Sequence, residues 1–212
     1  PEMEAEKAAQ AAGLVGAAYR LSPEKTLKLS LSRAYRVPTF QDLYWPAASG
    51  VAGNPDLSPE SSYEASFAYE LRRARLSYTA SAYVRYARDV ILWQPGDDGI
   101  WRPSNYGAAL YPGVEQELRA ELGGGYSLSG NYAYLHSVAL SGSLELADDK
   151  RLPMTPVHTA NATLSRDSES LSWSATARYV GLRYLALANV ASLPAYFTFD
   201  CMGKWGQPGC RD

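Results

Sequence analysis

The chain has 212 residues, with 22 acidic and 20 basic side chains and a formal net charge of −2. That balance excludes the basic face or stripe that a nucleic-acid binder needs. With 12% aromatic and only 20% charged residues, it also excludes a disordered chain. No run of about 18 apolar residues marks a membrane-spanning helix, but a β-barrel hides its span in alternation and leaves mean hydropathy unremarkable. Pro1-Glu2-Met3-Glu4 shows no basic region followed by an apolar core, so no signal peptide is expected. Cys201 and Cys210 are too few for a disulfide framework and match no zinc spacing.

The dominant period is two. Residues 11–22 open Ala-rich, and Gly13 and Gly16 favour a strand over a helix. In 25–36, Leu27, Leu29 and Leu31 alternate with Lys28, Ser30 and Ser32. A strand over 61–71 leads to 75–93, where Leu76, Tyr78, Ala80, Ala82, Val84 and Tyr86 oppose Ser77, Thr79, Ser81 and Arg85. In 106–122, Val114, Leu118, Ala120 and Leu122 oppose Glu115, Glu117, Arg119 and Glu121, with Gln116 the exception. The pattern continues through 126–138, 154–165, 170–183 and 195–202, giving nine predicted strands. Tight connections (22–25, 72–73, 123–125, 167–169) alternate with long ones (37–59, 94–105, 139–151, 184–193). That is an antiparallel up-and-down meander whose two ends differ.

Several strands exceed ten residues, the length of a tilted membrane crossing. No helix is available to cover a face, so the strands must form a sandwich or close into a barrel. The apolar face carries Ala, Leu, Tyr and Trp, with Tyr86, Tyr126, Trp173 and Tyr179 near strand ends. Such rings suit a membrane–water girdle. The fold expected is therefore all-β, an antiparallel up-and-down transmembrane β-barrel.

Chemistry is sparse. His136 and His158 fall on different strands, and no nucleophile–base order, carboxylate pair or His/Cys ligand cluster stands out. Asp97-Asp98-Gly99 reads as a turn rather than a calcium loop, and Gly123-Gly124-Gly125 opens a strand rather than a phosphate-binding helix. No catalytic residue, metal or cofactor is expected, and the chain is not read as an enzyme. Ligand binding is the better prospect: Tyr44, Trp45, Trp93, Trp101, Arg102, Asn105 and Tyr106 lie in or at the edges of the long loops, and aromatic rings with a few polar groups suit a bulky ligand.

The stretch Ser32-Arg33-Ala34-Tyr35-Arg36-Val37-Pro38-Thr39-Phe40-Gln41-Asp42-Leu43-Tyr44, followed by Gly53-Asn54-Pro55-Asp56-Leu57-Ser58-Pro59-Glu60, closely resembles a signature of TonB-dependent outer-membrane receptor barrels. Asn105-Tyr106-Gly107, Gly113-Val114-Glu115 and 151–158 continue the resemblance in the family's order. The cobalamin and siderophore receptors are the members it most resembles. Within this motif Arg36, Pro38, Asn54, Pro55, Leu57, Pro59, Glu60, Gly113 and Glu115 read as structural: the prolines force the chain out of the sheet, and Glu60 or Glu64 is available to pair with Arg36.

The resemblance implies a multi-pass barrel of the Gram-negative outer membrane, twenty-two strands in the family, of which this chain would supply about nine from the C-terminal part. It also implies partners: outer-membrane lipid, a plug domain and remaining strands not found here, the TonB complex reached through an absent N-terminal region, and a small-molecule ligand. Residues 1–200 read as partial barrel and 201–212 as an atypical tail. The function expected is active uptake of a scarce nutrient such as siderophore-iron or cobalamin. The rival readings are a small complete outer-membrane barrel, pore or enzyme, and a soluble β-sandwich adhesin or carbohydrate-binding module.

Overall fold

A computed structural model describes residues 10–48, 50–141 and 150–206. Cys210 and residues 142–149 of the 139–151 connection lie outside the described residues. Among those described, the elements are β1 (Gly13–Ser22), β2 (Lys25–Arg36), α1 (Phe40–Tyr44), β3 (Glu60–Arg73), β4 (Leu76–Pro95), β5 (Trp101–Gly123), β6 (Tyr126–Leu135), β7 (Val138–Ser141), β8 (His158–Arg166), β9 (Leu171–Val180), β10 (Arg183–Tyr184), β11 (Ser192–Leu193) and β12 (Tyr196–Trp205).

Nine strands form one antiparallel meander in the order β1-β2-β3-β4-β5-β6-β8-β9-β12. Directly paired residues share a face, so the register tests the alternation read from sequence. One row crosses the whole sheet as Tyr19, Leu27, Tyr69, Ala80, Gln116, Tyr132, Ala160, Tyr179 and Phe197. It is apolar or aromatic throughout except at Gln116. A parallel row on the other face reads Thr26, Glu70, Thr79, Glu117, Asn131, Asn161, Arg178 and Thr198. The polar face is laced by side-chain bonds: Lys28 donates to Glu70 at 2.5 Å, Asn161 to Asn131 at 2.6 Å, and Thr163 meets Thr176 at 2.8 Å.

The apolar face is bare. Leu29 is 54%, Phe67 47% and Phe199 76% exposed. A soluble sandwich would lay a second sheet on this face, and among the described residues none does so. The sheet is open, with β1 and β12 each paired on one side only, as a wall segment of a larger cylinder would be.

Four boundaries correct the sequence reading. The 94–105 connection is no long loop: β4 runs to Pro95 and β5 starts at Trp101, with Trp93 opposite Pro103 and Gln94 opposite Arg102. Trp and β-branched residues there extend the ribbon, leaving only a tight turn around Gly99, whose φ of 74° suits glycine. The predicted 126–138 strand is interrupted: β6 stops at Leu135, and β7 resumes pairing with β5 at Val138 opposite Leu110. His136 therefore leaves the ladder, although its backbone still donates to Pro112 O at 3.0 Å. The strand predicted from 154 starts only at His158, because Pro153 and Pro156 withhold donors and Met154 turns with φ of 56°. The last strand does not end at Met202 but continues through Trp205, opposite Leu171.

Side-chain burial concentrates at the long-loop end. Ala87, Val90, Tyr106, Ala109, Ala139, Leu152 and Leu187 form the core cluster. The 184–193 connection is held over it by the β10–β11 ribbon and by Asn189, which accepts from Arg151 N and donates to Arg151 O, both at 2.8 Å.

Candidate functional site

At the long-loop end β3 parts from β4 beyond the Ser61–Arg88 pair, while β4 and β5 continue outward as a two-stranded ribbon. A departing neighbour leaves backbone donors and acceptors without a ladder, and side chains from the 37–60 stretch take its place. Glu60 accepts from Ile91 N at 2.6 Å and from Arg36 Nη2 at 2.6 Å. Asn105 donates to Ser58 O and to Asp89 O, and accepts from Ser58 N, each at 2.8 Å. Asn54 donates to Pro103 O at 3.0 Å, while its carbonyl receives Asp56 N in an Asx turn. Of the two partners open to Arg36 on sequence, the structure selects Glu60 and adds Asp42 at 3.4 Å.

Asp42 is the hub. Thr39 caps α1 through a capping box: Asp42 N donates to Thr39 Oγ1, and Thr39 N donates back to Asp42 Oδ2. The Thr39 hydroxyl donates to the same oxygen at 2.8 Å, and the Trp93 indole donates to Oδ1 at 3.0 Å. Asp42 is only 7% exposed. Burial alone would raise its carboxyl, but hydrogen bonds from Thr39 and Trp93 and the charge of Arg36 outweigh it and hold the group below the ordinary carboxylate range. Gly53 closes the stem. A Cβ there would lie 2.6 Å from Trp45 N and 2.7 Å from Leu43 O, so only glycine lets the two passes of chain touch.

The expected ligand residues divide into two groups. Trp93 is committed to Asp42 and sits edge-on to Trp45 with ring centroids 6.5 Å apart. Asn105 spends its amide on backbone, and Tyr106 is 6% exposed within the core cluster. Trp93 and Asn105 hold the stem, and Tyr106 belongs to the core. Tyr44, Trp45 and Trp101 are 49%, 40% and 37% exposed, and Arg102 is also accessible, though Asp98 holds it at 2.8 Å. The Asp98 carboxyl is lowered by the Ile100 backbone donor and then by Arg102. A groove of about 330 Å³ beside the ribbon is lined by Gln94, Arg102, Ser104, Asn105 and Tyr106 among others.

Sequence reasoning passed over Phe40, which is 79% exposed and packs on Tyr44 at 4.9 Å. The signal was available in Thr39-Phe40-Gln41-Asp42, a capping box whose first helical residue points outward. It also passed over Asp42 itself. Of the remaining motif residues, Pro38 follows β2, Pro55 lies within the Asn54 turn, Leu57 comes just after it, and Pro59 precedes β3. Gly113 lies opposite Tyr83, whose ring occupies the space of a missing Cβ. Glu115 stands on the polar face between Ser81 and Ala133. The arrangement presents exposed rings and a guanidinium on a hydrogen-bonded stem, groups chemically able to contact a bulky ligand. Among the described residues no group of three or more His, Cys, Asp or Glu side chains is placed to hold a metal ion.

An open, long-stranded meander with one bare apolar face, short turns at one end and braced long connections at the other defines the wall of an outer-membrane-type receptor barrel. The chain belongs to the TonB dependent receptor-like, beta-barrel family, whose pattern it matches over residues 11–208. It is 28% identical over 195 residues to the vitamin B12 transporter BtuB of Photobacterium profundum, covering 89% of this chain and 30% of that relative. It is 30% identical over 155 residues to the vitamin B12 transporter BtuB of Vibrio vulnificus, covering 73% of this chain and 24% of that relative. Among solved structures, the copper transporter OprC superposes with a TM-score of 0.73 at 22% identity, over 92% of this chain and 31% of that one. The ferric yersiniabactin uptake receptor FyuA from Yersinia pestis gives 0.70 at 22% identity, over 92% and 29%. The chain thus spans under a third of the length of these curated relatives.

Proposed function

We propose that this chain supplies consecutive wall strands and long connections of an outer-membrane receptor that takes up a scarce small molecule. In this reading a plug domain and further strands complete the barrel, and energy arrives through TonB. Family membership supports the class. The observation that carries the role of this segment is the stem built on Asp42, Glu60, Asn54 and Asn105, which fixes the exposed rings of Phe40, Tyr44, Trp45 and Trp101 at the long-loop end. Rigid support for exposed aromatics lowers the ordering cost of binding a bulky ligand. The sequence relatives are named as vitamin B12 transporters, so cobalamin is the first ligand to test.

The test uses the whole receptor that contains this chain. Trp45→Ala and Trp101→Ala should weaken ligand binding by roughly tenfold, the scale of a lost aromatic contact, while the heat-modifiable folded band persists on gels. Trp101 pairs with Pro95 at the ribbon tip, so its backbone bonds survive truncation of the ring. Full uptake of cobalamin and of every iron chelate tried in both variants would refute the assignment of these rings to the ligand.

A further inference from the structure

The apolar face over β2–β5 is bounded by charge. In register, its rows read Leu31–Ala65–Val84, Leu29–Phe67–Ala82–Val114 and Leu27–Tyr69–Ala80–Gln116. No Asp or Glu stands on this face between Lys25 and Tyr35, Ser61 and Arg73, Leu76 and Arg88, or Ala108 and Leu122. Four cations do. Lys25 and Arg73 lie at the short-turn end, where Glu24 holds Arg73 at 2.8 Å. At the long-loop end, one row contains Arg33, Tyr63 and Tyr86, and the next contains Tyr35, Ser61 and Arg88. Tyr63 to Leu71 spans about 27 Å of strand, which a tilt of about 40° shortens to about 20 Å, the scale of a lipid-facing band.

Arg33 and Arg88 differ from many of the chain's arginines. Arg36, Arg72, Arg73, Arg102, Arg119 and Arg178 each reach a carboxylate. Arg33 and Arg88 make no ion pair among the described residues, Arg88 none even with its neighbour Asp89. Arg33 instead stacks its guanidinium 5.6 Å from the Tyr63 ring centre. A guanidinium beside hydrocarbon is costly unless its head meets an anion or water at the interface. The two arginines lie two strands and one row apart, about 10 Å across and about 7 Å along the sheet. Tyr35, Tyr63 and Tyr86 are 42%, 48% and 38% exposed around them.

We propose that Arg33 and Arg88, set among Tyr35, Tyr63 and Tyr86, bind the net-anionic, exposed-phosphate headgroup of a lipid at the long-loop surface of the bilayer. The fork of each guanidinium suits phosphate oxygens, and the tyrosines place their hydroxyls at headgroup depth. The proposal rests on the reading that this face meets lipid.

The test is thermal unfolding of the detergent-purified receptor titrated with lipid A, with phosphatidylcholine and inorganic phosphate as comparisons. Lipid A should raise the melting temperature, and the apparent affinity should fall roughly tenfold for each of Arg33→Gln and Arg88→Gln, as expected for charge-assisted bonds. Lys25→Gln, at the other end of the same face, should leave it unchanged. Arg33→Lys, which keeps the charge and loses the fork, should bind with intermediate affinity, and serves if the glutamine variants fail to assemble. An unchanged lipid A response in the variants overturns the site, as does an equal response to phosphatidylcholine or to inorganic phosphate. The underlying lipid contact is tested separately: equal assembly of Ala82→Arg and Ser81→Arg would refute the membrane reading itself, whatever lipid A does.

Discussion

Replacing Asp42 by Ala releases the helical turn from the ribbon. Three donors, Thr39 N, Thr39 Oγ1 and Trp93 Nε1, lose their acceptor at 2.8–3.0 Å, and Arg36 loses its second carboxylate. Thr39 still caps α1 by accepting from the backbone N–H of residue 42, so only the reciprocal half of the capping box is lost. Leaving the Trp93 indole and the Thr39 groups without a charged acceptor costs about 2–4 kcal/mol. The Arg36 contact is partly exposed and adds little. The total, about 2–4 kcal/mol, falls on the 37–59 connection and not on the strand ladder, because none of these bonds belongs to a β pair. Amide exchange over residues 40–54 should therefore accelerate by about 30-fold or more, while the barrel keeps its heat-modifiable mobility. Asp42→Asn keeps one acceptor and should fall between the two.

The same anchor has a defined pH response. A carboxyl held below its unfolded value contributes stability that is present above the unfolded pKa, and that stability is lost as pH falls through the folded value. Protection of residues 40–54 should thus be flat from neutral pH down to about pH 5 and decline below about pH 4. Equal protection in wild type and Asp42→Ala, or protection lost on raising the pH from 5 to 8, would refute this account.

Other expectations follow from the same geometry. Ala82→Arg, between Phe67 and Val114 on the bare face, should cost about 2–4 kcal/mol in a membrane refolding assay, whereas Ser81→Arg on the polar face should cost little. Gly53→Ala should loosen the stem by about 1–3 kcal/mol, because its Cβ meets backbone that cannot rotate away, and limited proteolysis after Tyr44 would report it. The 212 residues expressed alone should aggregate, since β1 and β12 each leave an unpaired edge; a monomeric product with a cooperative melt in detergent-free buffer would contradict this.

Most of the sheet was legible because its information is local. Alternation at period two puts Leu27, Leu29 and Leu31 on one face without reference to any other strand, and the register then had to follow, since a slip of one residue would invert faces across every neighbour. What escaped the sequence depends on partners distant in the chain. Trp93 and Trp101 read as loop residues because Gly96, Asp97 and Gly99 signal a turn; only the pairing of Gln94 with Arg102 shows how far the ribbon extends beyond the sheet. The continuation of β12 through Gly203 to Trp205 likewise depends on the ladder offered by β9, which overrides the low strand propensity of glycine.

The candidate site shows the same division. Sequence pointed to the 37–59 and 94–105 connections but could not sort their residues, because an aromatic or amide side chain reads alike whether it faces a ligand or completes a backbone ladder. The sorting comes from β3 parting from β4 after Ser61. Once that neighbour leaves, Glu60, Asn54 and Asn105 are required by the exposed ends of the ribbon, and Asp42 by the indole of Trp93. Residues so committed cannot also rearrange around a ligand without releasing the stem. In the proposed reading, binding falls to Phe40, Tyr44, Trp45, Trp101 and Arg102, whose exposed atoms the stem does not use, and the hydrogen-bonded stem would hold these groups in one arrangement before any ligand arrives.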